Sequence, residues 1–134
     1  MTDRKKIYVI TGGPGFGKST IINSLEKKGF YCAPDIARDI IKEQLDTEGD
    51  VLPWKNMVSF AKEVAQRRVT QYKEAPDGRI CFFDGGIPDP IAYLIKYGLE
   101  IPDEIYFIAR KYCYEKSIFV TFCISEVALP EKSF

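Results

Sequence analysis

The chain contains no histidine, and this absence narrows the chemistry open to it. Its cysteines are few and widely spaced, at Cys32, Cys81, Cys113 and Cys123, and no Cys-x-x-Cys pair occurs. The sequence therefore argues against a zinc site and against acid–base or triad catalysis that depends on histidine. We interpret the cysteines as small core residues of a protein in a reducing compartment.

Net charge and long apolar runs are also lacking. The chain has 19 Lys and Arg residues against 19 Asp and Glu residues, so its formal charge is zero. This balance removes the bulk attraction to nucleic acid or to an anionic membrane. No run reaches the roughly eighteen apolar residues of a membrane span, and the start MTDRKK leads directly into a strand pattern without a signal-like segment. We expect a cytoplasmic protein that binds neither nucleic acid nor membrane.

Strand and helix patterns alternate along the chain, whose 134 residues we expect to form one domain, 1–134. Apolar runs predict strands, and amphipathic spacing predicts helices. The predicted strands are 7–11, 30–33, 80–83 and 117–124, and the predicted helices are 18–28, 35–46, 54–74, 89–97 and 103–113. Within the last helix EIYFIA alone resembles a strand, but acidic residues in the first turn and basic ones in the last favour a helix. The alternation predicts an α/β sandwich of three layers, with a parallel sheet of about four strands and helices on both faces.

The most specific pattern follows the first strand. The loop matches G-x-x-x-x-G-K-[ST] and continues with a threonine, comprising Gly12, Gly13, Pro14, Gly15, Phe16, Gly17, Lys18, Ser19 and Thr20. A loop around a phosphate turns successive backbone N–H groups inward, which needs dihedral angles that glycine adopts easily. The following helix adds its free N–H groups and positive dipole end. The pattern predicts nucleotide binding, with Lys18 on the β- and γ-phosphates and the Ser19 hydroxyl on Mg²⁺.

A second carboxylate is expected at the end of a neighbouring strand, and RICFFDGG supplies Asp84 after four apolar residues. We interpret Asp84 as the metal-side carboxylate; an ordinary turn aspartate is the alternative. The next residue is Gly85 instead of the water-polarising glutamate of motor ATPases. An Asn-Lys-x-Asp guanine motif and a transporter signature are absent. The sequence therefore favours kinase-like phosphoryl transfer, with catalytic Lys18 and Asp84.

Six segments in order strengthen this interpretation: YVITGGPGFGKST, APDIARDII, PW, FFDGGIPD, AYLIKYGL and ARKYCYEKSIFV. Together they resemble the small AAA-domain family of P-loop ATPases, which is related to nucleoside and nucleotide kinases and includes the ribosylnicotinamide kinase domain. The resemblance covers roughly residues 6–121. It implies a P-loop NTPase sheet with the phosphate-loop strand central, beside the strand that ends at Asp84. It also implies ATP and Mg²⁺ as cofactors and supports a helix at 103–113.

The resemblance also indicates an acceptor side. Related kinases keep an acidic residue at the end of the second strand, where this chain has Asp35. Asp35 would orient or deprotonate an acceptor hydroxyl, or it would cap the helix that follows, and the two roles can coexist. Arg38 would neutralise an acceptor phosphate or carboxylate, or it is a solvated surface residue. We interpret Asp89 as a helix N-cap and Trp54 as core or lid packing.

Three positions depart from the family pattern. Phe16 stands where relatives carry a small polar residue, and Gly85 stands where they generally carry arginine. After the strand at 117–122, the segment CISEVALPEKSF matches neither the arginine-bearing lid nor the C-terminal elements of the relatives. The chain is then truncated, frameshifted or naturally short, and an uncovered sheet edge would favour self-association.

These observations support one leading function and two alternatives. The leading function is transfer of the ATP γ-phosphate to a small-molecule acceptor, such as a nucleoside, with Lys18, Asp35 and Asp84 as catalytic residues. The first alternative is a nucleotide-binding switch or regulatory module with little turnover, which the missing lid supports. The second is slow hydrolysis of ATP or GTP.

Overall fold

A computed structural model describes residues 5–11, 17–114 and 116–119, the last four by their backbone alone. Within these residues the chain forms four strands and five helices. In order they are β1 (Lys6–Thr11), α1 (Lys18–Lys27), β2 (Tyr31–Ala33), α2 (Ala37–Thr47), α3 (Met57–Glu74), β3 (Ile80–Asp84), α4 (Pro88–Lys96), α5 (Asp103–Lys111) and β4 (Lys116–Phe119). None of these helices is both long and apolar enough to cross a membrane.

The four strands form one parallel sheet in the order β2-β3-β1-β4. β1 is central and pairs with β3, with Val9 opposite Phe83 and Ile10 opposite Asp84. On its other side Val9 lies opposite Ser117 of β4. The predicted α/β class with a parallel sheet is therefore confirmed. The predicted strand at 117–124 begins at Lys116, and its last residues, 120–124, lie outside the described part of the chain.

The chain divides into two compact units. Among the described residues, the sheet unit comprises residues 5–11, 17–34, 76–84, 114 and 116–119, and it contains β1 to β4 with α1. The helical unit spans residues 35–75 and 85–113 and contains α2 to α5. The expectation of a single domain over 1–134 remains a prediction.

The core of the sheet unit follows from the apolar composition of its strands. Ile7, Val9 and Ile10 of β1 are all buried, as expected for the central strand of a parallel sheet. Ile10 packs with Ile22 of α1, and partly buried side chains including Phe82 surround this pair. α1 therefore packs on the sheet next to the strand from which it continues.

The core of the helical unit is organised around α3, which is 18 residues long. One cluster joins Phe60 and Val64 to two buried isoleucines, Ile40 of α2 and Ile36 just before it. A second cluster joins Ala61, Ala65, Leu94 and Ile105. The two α3 residues of each cluster, Phe60 with Val64 and Ala61 with Ala65, lie four positions apart. The helix therefore presents two adjacent apolar stripes, each to a different neighbour.

The start of α3 corrects one prediction. The helix begins at Met57, not at Trp54, because the Asn56 side chain accepts a hydrogen bond from the Ser59 N–H at 3.1 Å and caps the helix there. Trp54 lies in the preceding turn and is 63% exposed. Trp54 is therefore not a core residue, while its alternative role in lid packing remains a prediction.

The start of α4 corrects another. The helix begins at Pro88, so Asp89 lies within its first turn and is not the N-cap. Pro88 takes an early helical position where its missing N–H has no cost. The Asp89 side chain instead accepts a hydrogen bond from the preceding Gly86 N–H at 3.1 Å. The carboxylate stabilises the turn before the helix.

The cysteines occupy different environments. Cys81 is buried and Cys32 is partly buried, and burial raises the pKa of both thiols. Cys113 is exposed, so the prediction that it is a core residue is wrong. It follows the apolar face of α5 and lies beyond the last residue of that helix. Cys123 lies outside the described residues.

Candidate functional site

The segment between β1 and α1 is the centre of the predicted phosphate site. Residues 12–16 lie outside the described residues, so the roles of Gly12, Gly13, Pro14, Gly15 and Phe16 remain predictions. The segment enters α1 through residue 17, a glycine with φ of 84°. A Cβ there would meet nothing within 4 Å, so the left-handed backbone and not lack of space requires glycine.

Two predicted site residues of the sheet unit are in direct contact. Lys18 is the first residue of α1, and Asp84 is the last residue of β3. The Lys18 Nζ lies 3.0 Å from Asp84 Oδ1, and the two side chains are 22% and 12% exposed. The two groups form an ion pair. Asp84 is a buried residue, whereas Lys18 is only partly buried.

The first turn of α1 is suited to an anion. Ser19 and Thr20 lie in this turn and are exposed. The turn contains no acidic residue, and the N-cap glycine has no side chain that would satisfy its N–H groups. Free N–H groups and the positive end of a helix dipole attract phosphate or carboxylate. The phosphate-binding roles of Lys18, Ser19 and Thr20 remain predictions with which this geometry is compatible.

Asp35 begins the helical unit, two residues after the end of β2. Its Oδ1 accepts a hydrogen bond from the Ala37 N–H at 3.0 Å, so the carboxylate stabilises the start of α2. The N-cap residue of α2 is Ile36, so Asp35 stabilises the helix start from one residue before the cap, and its acceptor role remains a prediction. Arg38 lies on the first turn of α2 and is exposed, without an ion pair to any of the described residues.

Arg68 is the residue that the sequence analysis missed. It lies on α3 and is 1% exposed. Its Nη1 donates a hydrogen bond to Gln71 Oε1 at 2.8 Å. Its Nη2 lies 3.6 Å from Asp35 Oδ1 and 3.9 Å from Asp89 Oδ2, so one guanidinium attracts two carboxylates. The missed signal was spacing: residues 60, 64 and 68 share one helix face, and the first two are core residues.

The neighbouring arginine shows the contrast. Arg67 lies near the surface of α3 and donates hydrogen bonds to Glu63 and Glu43 at 2.7 to 3.0 Å. The hydrogen bond from Arg67 lowers the pKa of Glu43. Two adjacent arginines of one helix therefore have opposite environments, and only Arg68 is buried.

Tyr93 of α4 lies near the same group of charges. Burial, together with the nearby carboxylates of Asp89 and Asp35, raises the pKa of Tyr93 to about 12, and the charge of Arg68 opposes this increase. The ring also contacts Phe60, with ring centroids 6.1 Å apart. Tyr93 is therefore neutral at physiological pH.

Gly85 borders this group and follows Asp84 in the chain. Its φ is 84°, a conformation that side chains with a Cβ rarely adopt. A Cβ at this position would meet the Asp89 carboxylate and would lie 2.5 Å from Arg68 Nη2. Both the backbone and the space around it therefore require glycine at position 85.

The described residues fit a magnesium ion that arrives with a nucleotide. Mg²⁺ prefers oxygen ligands and is usually held by one or two protein side chains, with phosphates and waters completing its shell. The Ser19 hydroxyl and the Asp84 carboxylate are ligands of this kind. Within the described ranges no group of three or more His, Cys, Asp or Glu residues is placed to hold a metal. The donor set therefore matches a nucleotide-borne ion better than a protein cage.

The parallel α/β sheet, the glycine-rich connection from β1 into α1 and the carboxylate at the end of β3 define the class of nucleotide-binding P-loop NTPases. Residues 7–128 match the family model described as an AAA domain, and the chain belongs to this AAA domain family. Proteins of this class generally bind a nucleotide with Mg²⁺. None of the curated proteins compared with the chain matches it.

Proposed function

We propose that the protein binds ATP with Mg²⁺ and transfers the γ-phosphate to a hydroxyl group of a small-molecule acceptor. The observation that carries the proposal is the 3.0 Å contact between Lys18 and Asp84. A cationic group for the phosphates and a carboxylate for the metal are thus adjacent at the carboxyl end of the parallel strands. These are the two side chains that this chemistry requires first.

On the phosphate side, the backbone N–H groups of the glycine-rich loop, which Pro14 alone does not supply, would bind the triphosphate. Lys18 would exchange Asp84 for oxygens of the β- and γ-phosphates. Ser19 and Asp84 are the residues that would hold a Mg²⁺ ion, whose charge would neutralise that of the phosphates. Because lysine is a compact charge on a flexible stem, this exchange of partners requires little movement of the backbone.

On the acceptor side, Asp35 orients the acceptor hydroxyl and accepts its proton. The hydrogen bond from the Ala37 N–H holds one carboxylate oxygen and so fixes the orientation of the group. Arg38 is exposed and would bind an anionic part of the acceptor. The chain has Gly85, not glutamate, after Asp84, and this favours transfer to an acceptor over activation of water.

A thermal melt with and without Mg-ATP tests nucleotide binding. A ligand at about a hundred times its Kd adds roughly 2.7 kcal/mol to the free energy of unfolding, which raises Tm by several degrees in a domain of this size. We expect this shift in the wild type and in Lys27→Ala, which changes an exposed lysine of the same helix. We expect no shift in Lys18→Ala. An equal shift in all three proteins would refute the phosphate role of Lys18.

Labelled ATP with a panel of hydroxyl compounds tests transfer. Nucleosides, sugars and hydroxylated amino acids would each be incubated with the wild type, Lys18→Ala and Asp35→Asn. We expect label on one class of acceptor with the wild type only. Release of free phosphate without any acceptor, lost in Lys18→Ala, would instead indicate a hydrolase. Nucleotide binding with neither product would indicate a switch.

A further inference from the structure

Arg68 is a buried charge at a position where an apolar side chain would be expected. It continues the face of α3 that carries Phe60 and Val64, both core residues of the helical unit. Burying a guanidinium is unfavourable unless nearby groups compensate its charge. An aliphatic residue would fill this face without that cost. The arginine is therefore explained best by what its guanidinium holds.

The guanidinium holds two carboxylates that reach the surface. Asp35 and Asp89 are 27% and 23% exposed, while Arg68 is 1% exposed. The distances of 3.6 and 3.9 Å are too long for hydrogen bonds but short enough for strong attraction in a buried setting. One inaccessible cation thus orients two partly accessible anions, which lie at the starts of α2 and α4.

Each carboxylate in turn fixes a backbone N–H group. Asp35 accepts from Ala37 at the start of α2, and Asp89 accepts from Gly86 in the turn before α4. The guanidinium also occupies the space beside Gly85, where a Cβ would collide with it. Arg68 therefore restrains both the segment that carries Asp35 and the turn that directly follows Asp84 in the chain.

We propose that Arg68 is a positioning residue for the acceptor side of the reaction. It fixes the carboxylates of Asp35 and Asp89 without touching the acceptor, and position 85 requires glycine because a Cβ there would displace the guanidinium. The existence of an acceptor rests on the proposed function. The restraint that Arg68 places on the two carboxylates does not depend on that function, and it can be measured separately.

Hydrogen exchange at the Ala37 and Gly86 amides, followed by NMR, measures the restraint directly. We expect exchange to become about tenfold faster at these two amides in Arg68→Lys, because lysine offers a single charge in place of a fork of donors. Gly85→Ala should have the same effect by displacing the guanidinium. If Arg68→Lys does not fold, Gly85→Ala still decides the question.

Two matched controls accompany these variants. Arg67→Lys changes the adjacent arginine, which binds Glu43 and Glu63 elsewhere on the helix surface. Gly98→Ala introduces a Cβ at another glycine with positive φ, 68°, where nothing lies within 4 Å. Both controls should leave the two amides within about twofold of the wild-type exchange rate. Acceleration in Gly98→Ala equal to that in Gly85→Ala would assign the effect to backbone strain and overturn the proposal.

Kinetics separate positioning from a purely structural role. With the acceptor found by the labelled-ATP panel, Arg68→Lys should lower kcat/KM for the acceptor about tenfold and leave the Tm shift with Mg-ATP unchanged. Arg68→Met should lose more activity than Arg68→Lys. The proposal would be overturned if Arg68→Lys lost the Tm shift with Mg-ATP to the same extent as its activity toward the acceptor. It would also be overturned if hydrogen exchange at the Ala37 and Gly86 amides were unchanged. A wild type without any Lys18-dependent shift would refute the proposed function alone, since the exchange data would still decide the role of Arg68.

Discussion

The two units of the molecule each contain a cation beside carboxylate, but the two arrangements differ. In the sheet unit Lys18 and Asp84 form an ion pair at 3.0 Å, with side chains that are 22% and 12% exposed. In the helical unit Arg68 is inaccessible and attracts two carboxylates from longer distances. We propose that the first pair exchanges partners with a ligand, whereas the guanidinium of the second keeps its two carboxylates. Under this proposal the sheet unit binds and releases charge, and the helical unit keeps its charges in place.

The chemistry of the two cations agrees with this difference. Lysine carries a compact, strongly hydrated charge on a flexible chain, whereas arginine carries a planar group with several donors. A residue that must bind a phosphate and release it is served by the first. A residue that must hold fixed partners in a buried setting is served by the second. Substitutions in the Lys18–Asp84 pair and in the Arg68 group test whether the two arrangements behave differently.

The largest effect is expected at the buried cation. Arg68→Met leaves Asp35 and Asp89 without their cation and should lower the free energy of unfolding by about 3 kcal/mol, the low end for a broken buried pair, because both carboxylates stay partly exposed. Lys18→Met should lower it by about 1 kcal/mol, because the lysine is itself more exposed. Urea unfolding of both variants measures the difference. Equal losses would mean that the two arrangements are not distinct.

An alkaline titration tests the surroundings of Tyr93. An unfolded tyrosine ionises near pH 10, and in the folded protein the pKa of Tyr93 is about 12. Since the folded state holds the proton more tightly, stability from this residue is complete below pH 10 and is lost as pH rises to 12. The loss is about 2 to 3 kcal/mol.

The measurement is urea unfolding at intervals between pH 9 and 12 for the wild type and Tyr93→Phe. The phenylalanine variant should lose less stability over this range, because its residue 93 cannot ionise. Tyr106→Phe, at an exposed tyrosine, controls for general alkaline effects. If the free energy of unfolding fell equally with pH in the wild type and in Tyr93→Phe, the pKa of Tyr93 would not be raised in the folded protein.

A smaller effect, on ATP binding, is expected at the Lys18–Asp84 pair, and its sign should depend on whether Mg²⁺ is present. Without Mg²⁺, Asp84 competes with the nucleotide for Lys18, so Asp84→Asn should bind ATP about tenfold more tightly than the wild type. With Mg²⁺ the variant lacks a ligand for the ion and should bind more weakly. Calorimetry in EDTA and in MgCl₂ compares the two conditions. Weaker binding in both would show that the contact with Lys18 does not restrain the lysine.

The smallest effect calibrates helix capping in the helical unit. Asn56→Ala removes a cap with no charge partner and should cost about 1 kcal/mol of unfolding free energy. Asp35→Ala removes the acceptor of the Ala37 N–H and also a carboxylate from Arg68, so it should cost more. Denaturant unfolding of the two variants gives the difference. A cost for Asp35→Ala no larger than for Asn56→Ala would leave Arg68 indifferent to Asp35.

The features that the sequence predicted well are local. β1, α1 and the strand before Asp84 were predictable because apolar runs, glycines and helix ends lie next to one another in the chain. The contact between Lys18 and Asp84 could be predicted because the carboxyl ends of parallel strands meet at one edge of a sheet. α5 was recognised as a helix by the charges at its two ends.

The features that it did not predict depend on residues far apart in the chain. Asp35, Arg68 and Asp89 are brought together only by the packing of α2, α3 and α4, and no pattern links them in sequence. Asp89 was taken for a cap because aspartate before proline resembles one, although Pro88 already begins the helix. Trp54 was assigned to α3 because its spacing continued the apolar face of the helix beyond the Asn56 cap.

The pairing of β1 has a consequence for synthesis on the ribosome. Lys6 pairs with Ile80, and Tyr8 pairs with Lys116, so both neighbours of this strand are translated long after it. At about 5 to 20 residues per second, β1 waits on the order of several seconds for the first of them. During this time Ile7, Val9 and Ile10 have no sheet to enter. β1 therefore cannot complete its pairing until β3 has left the exit tunnel, and its apolar side chains stay unpaired until then.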